Sequence, residues 1–218
     1  MAAEISAKIV KELRDKTSAG MMDCKKALQE AGGDFAKAEE ALKKKGLATA
    51  AKKSGRIATE GIVEAYIHMG GKLGILVEVN CETDFVARRS EFQELARSIA
   101  MQIAACPQVQ YINAADIPSE IAEREKKIEM EKDDLGNKPA EIKEKIVEGR
   151  IQKKLKEMVL LEQAFIRDPS MTVDDLVKKN ISTLGENIQI RRFERFVLGE
   201  GLEKKNENFS AEVEKMMK

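Results

Sequence analysis

A protein that grips single-stranded bases usually sets aromatic side chains aside for stacking. This sequence has few to offer: no Trp, and only 4% aromatic residues in all. It also lacks an excess of charge of either sign. Lys and Arg together number 38, as do Asp and Glu, so there is no net positive charge for a general hold on phosphate backbones, and direct nucleic-acid binding is not expected. The three cysteines, Cys24, Cys81 and Cys106, are widely spaced and form no CxxC pair. That argues against a metal cluster or a disulfide framework and for a reducing compartment. No apolar run approaches bilayer-spanning length, and Met1-Ala2-Ala3-Glu4-Ile5 lacks the basic-then-apolar form of a secretory signal. The expected setting is cytoplasmic, with a plastid stroma as the organellar equivalent, and no membrane association.

What is present is a charged, folded chain: 35% charged and 43% hydrophobic over 218 residues, enough for one large or two smaller cores. Residues 1–46 read as three short helices. Ile5, Ile9, Val10 and Leu13 form one apolar stripe, a second helix runs roughly from Met22 to Glu30, and Asp34 caps a third that carries Phe35, Ala38 and Leu42. Gly20 is the expected positive-φ residue of the first turn, and Gly46 the expected stop of the third helix. Residues 47–60 have a linker composition, partly compatible with helix. The period then changes to two. Val63, Ala65 and Ile67 share one face, as do Leu73, Ile75, Val77 and Val79, and Met69-Gly70-Gly71 makes the pair a hairpin. Phe92, Leu95, Ile99 and Ile103 mark an amphipathic helix that ends before Pro107.

Residues 119–163 turn strongly charged and helical. Ile121, Ile128 and Leu135 precede a break at Gly136-Asn137-Lys138-Pro139, and Ile142, Ile146, Leu155 and Met158 follow it. This predicts an antiparallel helical hairpin with a thin seam. A short helix from Thr172 to Lys179 leads to a third strand over 188–197. A terminal helix carries Phe209, Val213 and Met216 within 203–218. Together, 61–118 and 164–202 are expected to form an α+β core.

Reactive constellations are scarce. The single histidine, His68, sits beside the hairpin turn, there is no GxxxxGK[ST] loop, and no GxGxxG joins a strand to a helix. No catalytic residue, metal or cofactor is expected, and the chain is not read as an enzyme. One segment breaks local rules: in Asn80-Cys81-Glu82-Thr83-Asp84-Phe85-Val86-Ala87-Arg88, a strand-to-helix loop carries a cap and then two apolar side chains. By pattern alone, Phe85 reads either as a staple folded onto its own helix, the reading the pattern favours, or as a wedge for another protein. Met21 and Met22 pose the same choice between core and soft contact.

Three stretches carry a resemblance. Thr17-Ser18-Ala19-Gly20-Met21-Met22-Asp23-Cys24-Lys25-Lys26-Ala27-Leu28 and Glu78 through Arg88 are similar to the two signatures of the elongation factor Ts family. Arg191-Arg192-Phe193 through Gly199-Glu200-Gly201-Leu202-Glu203-Lys204 resembles that family's C-terminal end. Ser18 stands where the family usually has Gly, and the chain looks like a short form with one of the two core subdomains of longer members. The resemblance implies a ubiquitin-associated-like three-helix domain, an α+β core with a small antiparallel sheet packed by helices, a projecting coiled-coil hairpin and a C-terminal helix. It implies guanine nucleotide exchange on elongation factor Tu, bound both with GDP and nucleotide-free. Asp84 and Phe85 would insert near the partner's magnesium site, with Thr83 and Val86 shaping the loop. Arg14, Met21 and Met22 would touch the same partner from the N-terminal module. Two copies of the chain could also pair. The competing expectation is an adaptor whose binding is indifferent to GDP.

Overall fold

The computed structural model describes residues 5–132 and 139–202. Three helices open the chain: α1 (Ala7–Thr17), α2 (Met21–Glu30) and α3 (Phe35–Lys53). Side chains cap two of them. The Ile9 amide donates to Ser6 Oγ at 3.4 Å and the Lys37 amide to Asp34 Oδ1 at 3.1 Å, each satisfying a donor that a helix start leaves open. Val10, Leu13, Cys24, Ala27, Leu28, Ala38 and Leu42 make a small core of their own.

Two details of this region differ from expectation. Positive φ falls on Ser18 (φ 58°), while Gly20 has φ −60° and begins α2 as its N-cap. Ser18 closes α1: its amide donates to the Arg14 carbonyl at 2.7 Å, and its left-handed conformation turns the chain out of the helix. Gly46, expected to stop α3, lies inside it, and the helix continues to Lys53 through the first half of the expected linker. There α3 packs against the later helix α8 (Val173–Leu184), with Ser182 Oγ 3.5 Å from where a Cβ on Gly46 would lie, an ordinary contact distance. α3 thereby joins two cores, giving Ala38 and Leu42 to the first and Ala50 to the second.

The second core is built on a three-stranded antiparallel sheet, in the order β1 (Glu60–Ile67), β2 (Leu73–Cys81), β5 (Gln189–Val197). On its inner face Ile75, Val77, Val79 and Ile190 are buried beneath α5 (Ser90–Ala105), which contributes Phe92, Leu95, Ala96, Ile99, Ala100 and Ile103. α8 completes the core with Val173, Val177, Ile181 and Leu184. The apolar set Val63, Ala65 and Ile67 faces outward; Ile62 and Tyr66 are the residues of β1 that pack inward. Both faces of β1 carry apolar residues, so alternation alone leaves the choice open. Pairing with β2 and the α5 contact decide it.

Gly61 enters the sheet where nothing larger fits. A Cβ there would lie 2.1 Å from the Val79 carbonyl oxygen, at a φ of +144°. Arg195 closes the far end of α5 by donating to the carbonyls of Ile103, Cys106 and Pro107 at 2.7, 2.9 and 2.6 Å. Burial lowers the pKa of its guanidinium. Fully buried Gln102 joins α5 to a two-stranded ribbon that the sequence did not announce, β3 (Ala164–Phe165) with β4 (Asp168–Thr172). It donates to the Ala164 carbonyl at 3.0 Å and accepts from the Ile166 amide at 2.8 Å. The helix after β4 is longer than predicted. A Thr172–Asp175 capping box starts α8, and the helix runs on past Lys179 with Ile181 and Leu184 buried in the core until it ends on Gly185 at φ 80°.

A short helix, α4 (Asp84–Ala87), lies between β2 and α5. The charged stretch forms α6 (Ser119–Met130) packed on α7 (Ala140–Glu157), with the ion pairs Glu125–Lys154 and Glu129–Arg150 running antiparallel. Its seam matches the predicted one in part. Ile146 and Leu155 pack against buried Val147 and Ile151, but Ile128 and Ile142 are exposed, and Glu125 and Glu129 are buried. Paired charges occupy the places a seven-residue repeat assigns to apolar side chains. Leu135 and the expected terminal helix over 203–218 lie outside the described residues.

Candidate functional site

The rule-breaking segment after β2 forms a single tight turn. Thr83 is the N-cap of α4: the Val86 amide donates to its Oγ1 at 3.4 Å, and the Arg88 amide reaches the Asp84 carbonyl at 3.2 Å. Within this turn the two apolar residues part ways. Val86 is 7% exposed and belongs to the main core, while Phe85 is 79% exposed. The hydrophobic staple that the pattern favours does not form. Burying Val86 beneath the turn sets the next residue back, Phe85, on its outer side, because neighbouring helical positions lie about 100° apart. Asp84 is half-buried and pairs with Arg88 at 2.9 Å.

The backbone ahead of this turn is clamped from a distant part of the chain. One carboxylate oxygen of Glu186 accepts from the Glu82 amide at 3.1 Å and the Thr83 amide at 3.0 Å; the other accepts from the Thr83 hydroxyl at 2.6 Å. Glu82 answers in kind, accepting from the Asn187 amide at 2.7 Å and pairing with Arg56 at 3.5 Å. These partners, the Asn187 amide bond first, hold the Glu82 carboxyl below its ordinary pKa. Asn187 is itself buried and donates to the carbonyl of Arg56 at 2.7 Å. Beneath the turn, Cys81 Sγ donates to the Thr83 carbonyl at 3.1 Å. Burial first, and then the charge of Glu186, push this thiol up to about 11, so it stays protonated at neutral pH and serves as a donor.

The edge of the same region is tied by charge. β5 bulges opposite Glu78, so two consecutive residues face one partner. Arg191 and Arg192 both donate to the Glu78 carboxylate, at 2.8 and 2.7 Å. Those two bonds bring its pKa down to about 2.

Of the other predicted site residues, Arg14 is exposed near the end of α1 and lines a cleft with Glu91 and Glu94 of α5, the helix that follows the Phe85 turn. Met21 and Met22 are 42% and 75% exposed on the first turn of α2. They are surface residues, apart from that cleft. Glu186, Asn187 and Arg56 went unremarked in the sequence, since nothing local separates them from the chain's many other polar and charged residues, and Glu82 was named only as part of the segment. The one signal was Gly185, the glycine that ends α8 and turns Glu186 back toward the strand.

Among the described residues, no three or more His, Cys, Asp or Glu side chains gather in a way that could hold a metal ion. None of the helices there is long and apolar enough to cross a membrane. Fold and candidate site together define an α+β protein that presents a clamped turn on its surface. The family described as elongation factor TS matches residues 2–200, and the chain belongs to that family of translation elongation factors of protein biosynthesis. It is 75% identical to the chloroplastic elongation factor Ts of Rhodomonas salina, covering 100% of both chains. It is 71% identical to that of Guillardia theta, over 100% of this chain and 99% of the relative. Elongation factor Ts of a Picosynechococcus strain is 66% identical, with 99% of each covered. The short length is shared with these relatives.

Proposed function

We propose that the protein is a guanine nucleotide exchange factor for elongation factor Tu. It binds the partner with GDP or without nucleotide and promotes GDP release by inserting the Thr83–Val86 turn near the magnesium site. The observation that carries this reading is the 79% exposure of Phe85 at the tip of a turn whose incoming backbone is held by Glu186. Asp84 accompanies Phe85, Thr83 and Val86 shape the turn from within, and Arg14, Met21 and Met22 add a second contact from the three-helix module. No bond of the nucleotide is made or broken, so the protein is not an enzyme in the chemical sense.

The physics is that of two coupled sites on the partner. Magnesium bridges and neutralises the nucleotide phosphates, and a side chain that displaces it weakens GDP. By reciprocity, GDP weakens the exchange factor by the same factor. Burying one Phe is worth roughly 1.5–3 kcal/mol, or about one to two decades in release rate if that energy is realised as GDP leaves. Larger acceleration must come from the rest of the interface.

The family's ubiquitin-associated-like and coiled-coil descriptions are carried to α1–α3 and to α6–α7. The division into module, core and hairpin is kept, with α3 joining module and core in place of a free linker. The working compartment is a plastid stroma or a bacterial cytoplasm.

Release of fluorescent GDP from elongation factor Tu tests the reading. Phe85→Ala should slow release by about one to two decades, while urea unfolding stays within about 0.5 kcal/mol of the parent because the ring is exposed. Unchanged release would refute the wedge. Binding to elongation factor Tu that ignores GDP would favour the adaptor.

A further inference from the structure

We propose that Glu186 and Glu82 form a reciprocal carboxylate clasp, and that Glu186 is a positioning residue for nucleotide release, acting through Phe85. This rests on the exchange function proposed above. The two residues lie on different connections, one after β2 and the other between α8 and β5, and each side chain accepts backbone amides from the other's segment. Glu186 takes the amides of Glu82 and Thr83, and Glu82 takes that of Asn187. The second Glu186 oxygen holds the Thr83 hydroxyl, and that same hydroxyl oxygen accepts from the Val86 amide. That amide belongs to the peptide unit that follows Phe85. A continuous path of bonds therefore runs from Glu186 to the backbone that carries the ring.

A four-residue helix cannot organise itself, because the first turn fixes several dihedrals for a single hydrogen bond. α4 has that length, and its incoming amides lack partners within it. Without Glu186 the turn would sample other conformations, and part of the burial energy of Phe85 on contact would go into ordering it. Ordering the backbone of one residue corresponds to roughly a tenfold change in rate. The Asn187 amide group, which donates to Ser54 and Arg56 carbonyls at 3.4 and 2.7 Å, extends the clasp to the end of α3. The turn is therefore fixed to the helix that joins both cores.

The test compares Glu186→Ala and Glu186→Gln, each with Phe85 present and with Phe85→Ala. The readouts are GDP release from elongation factor Tu at saturating protein and hydrogen exchange of the Glu82 and Thr83 amides. With Phe85 present, Glu186→Ala should slow maximal release about tenfold and deprotect those two amides while β2 stays protected. Glu186→Gln keeps an oxygen for the two amides and should restore most of the rate. In the Phe85→Ala background, Glu186→Ala should cost nothing further, since its effect passes through the ring. An equal slowing in both backgrounds, or deprotected amides with unchanged release, overturns the clasp. Should Glu186→Ala fail to fold, Thr83→Val removes the hydroxyl link to Glu186 together with the cap on the Val86 amide and leaves the two amide bonds to Glu186; it should slow release with Phe85 present and cost nothing further in the Phe85→Ala background, and an equal slowing in both would overturn the clasp. Phe85→Ala alone reads the wedge separately: if it slows release while Glu186→Ala does not, the clasp alone is wrong.

Discussion

The two ends of the three-stranded sheet each hold a large apolar side chain out to solvent, but they are built differently. At the hairpin end Met69 is 90% exposed on a turn whose tip is held by its neighbours and whose base is held by the Leu198 amide, which donates to the Lys72 carbonyl at 2.8 Å. The His68 amide donates to the Leu73 carbonyl, the Gly71 amide to that of His68, and the Tyr66 hydroxyl meets His68 Nδ1 at 3.1 Å. At the other end Phe85 is held by residues more than a hundred positions away, through Glu186 and Asn187. Exposure by itself does not mark a site, since a protein surface is rich in apolar atoms. An exposed ring on a backbone fixed from several directions is different, because it meets a partner with its ordering cost already met by folding. That contrast is the reason for assigning function to one end and a simple reversal of chain direction to the other.

The strongest way to break the contrast is to loosen the Phe85 end from within the sheet. Gly61→Ala would place a methyl 2.1 Å from the Val79 carbonyl, and its neighbour across the ladder, Asn80, leads straight into the turn. Urea unfolding should show a loss of about 2–4 kcal/mol, with hydrogen-exchange protection lost first around 79–83. A smaller and reversible loosening should come from acid. Glu78 has its carboxyl lowered from an ordinary 4.5 to about 2 by Arg191 and Arg192. A carboxylate depressed on folding adds stability above its unfolded pKa, and that stability is lost as pH falls through the folded value. Glu82 is lowered in the same direction. Between about pH 4.5 and 2, amides near the Phe85 turn should therefore lose protection before those near Met69; simultaneous loss would show that the charges do not hold this end. The smallest effect belongs to Met69→Ala, which should change neither stability, beyond about 0.5 kcal/mol, nor GDP release.

Much of this architecture could be read from residue spacing. β2 and α5 follow their apolar periods because one buried surface dictates each. The elements misread are those in which distant contacts override local preference. α3 runs through Gly46 and packs on α8, and α6 buries Glu125 and Glu129 because Lys154, Arg150 and Lys132 supply opposite charge. The candidate site was half legible. The cap at Thr83 and the odd apolar pair Phe85 and Val86 are local features, but pattern alone favoured a staple, and only packing separates the buried residue from the exposed one. Glu186 lies 103 residues from Thr83, and no local spacing rule links carboxylates so far apart in a chain with 38 acidic residues.

The account stands or falls on whether the clamped end does what the hairpin end does not. Fluorescent GDP release from elongation factor Tu, measured side by side with Phe85→Ala and Met69→Ala at equal saturating concentration, should fall by about one to two decades for the first and match the parent for the second. Equal rates for the two variants, whether both slowed or both unchanged, would contradict it.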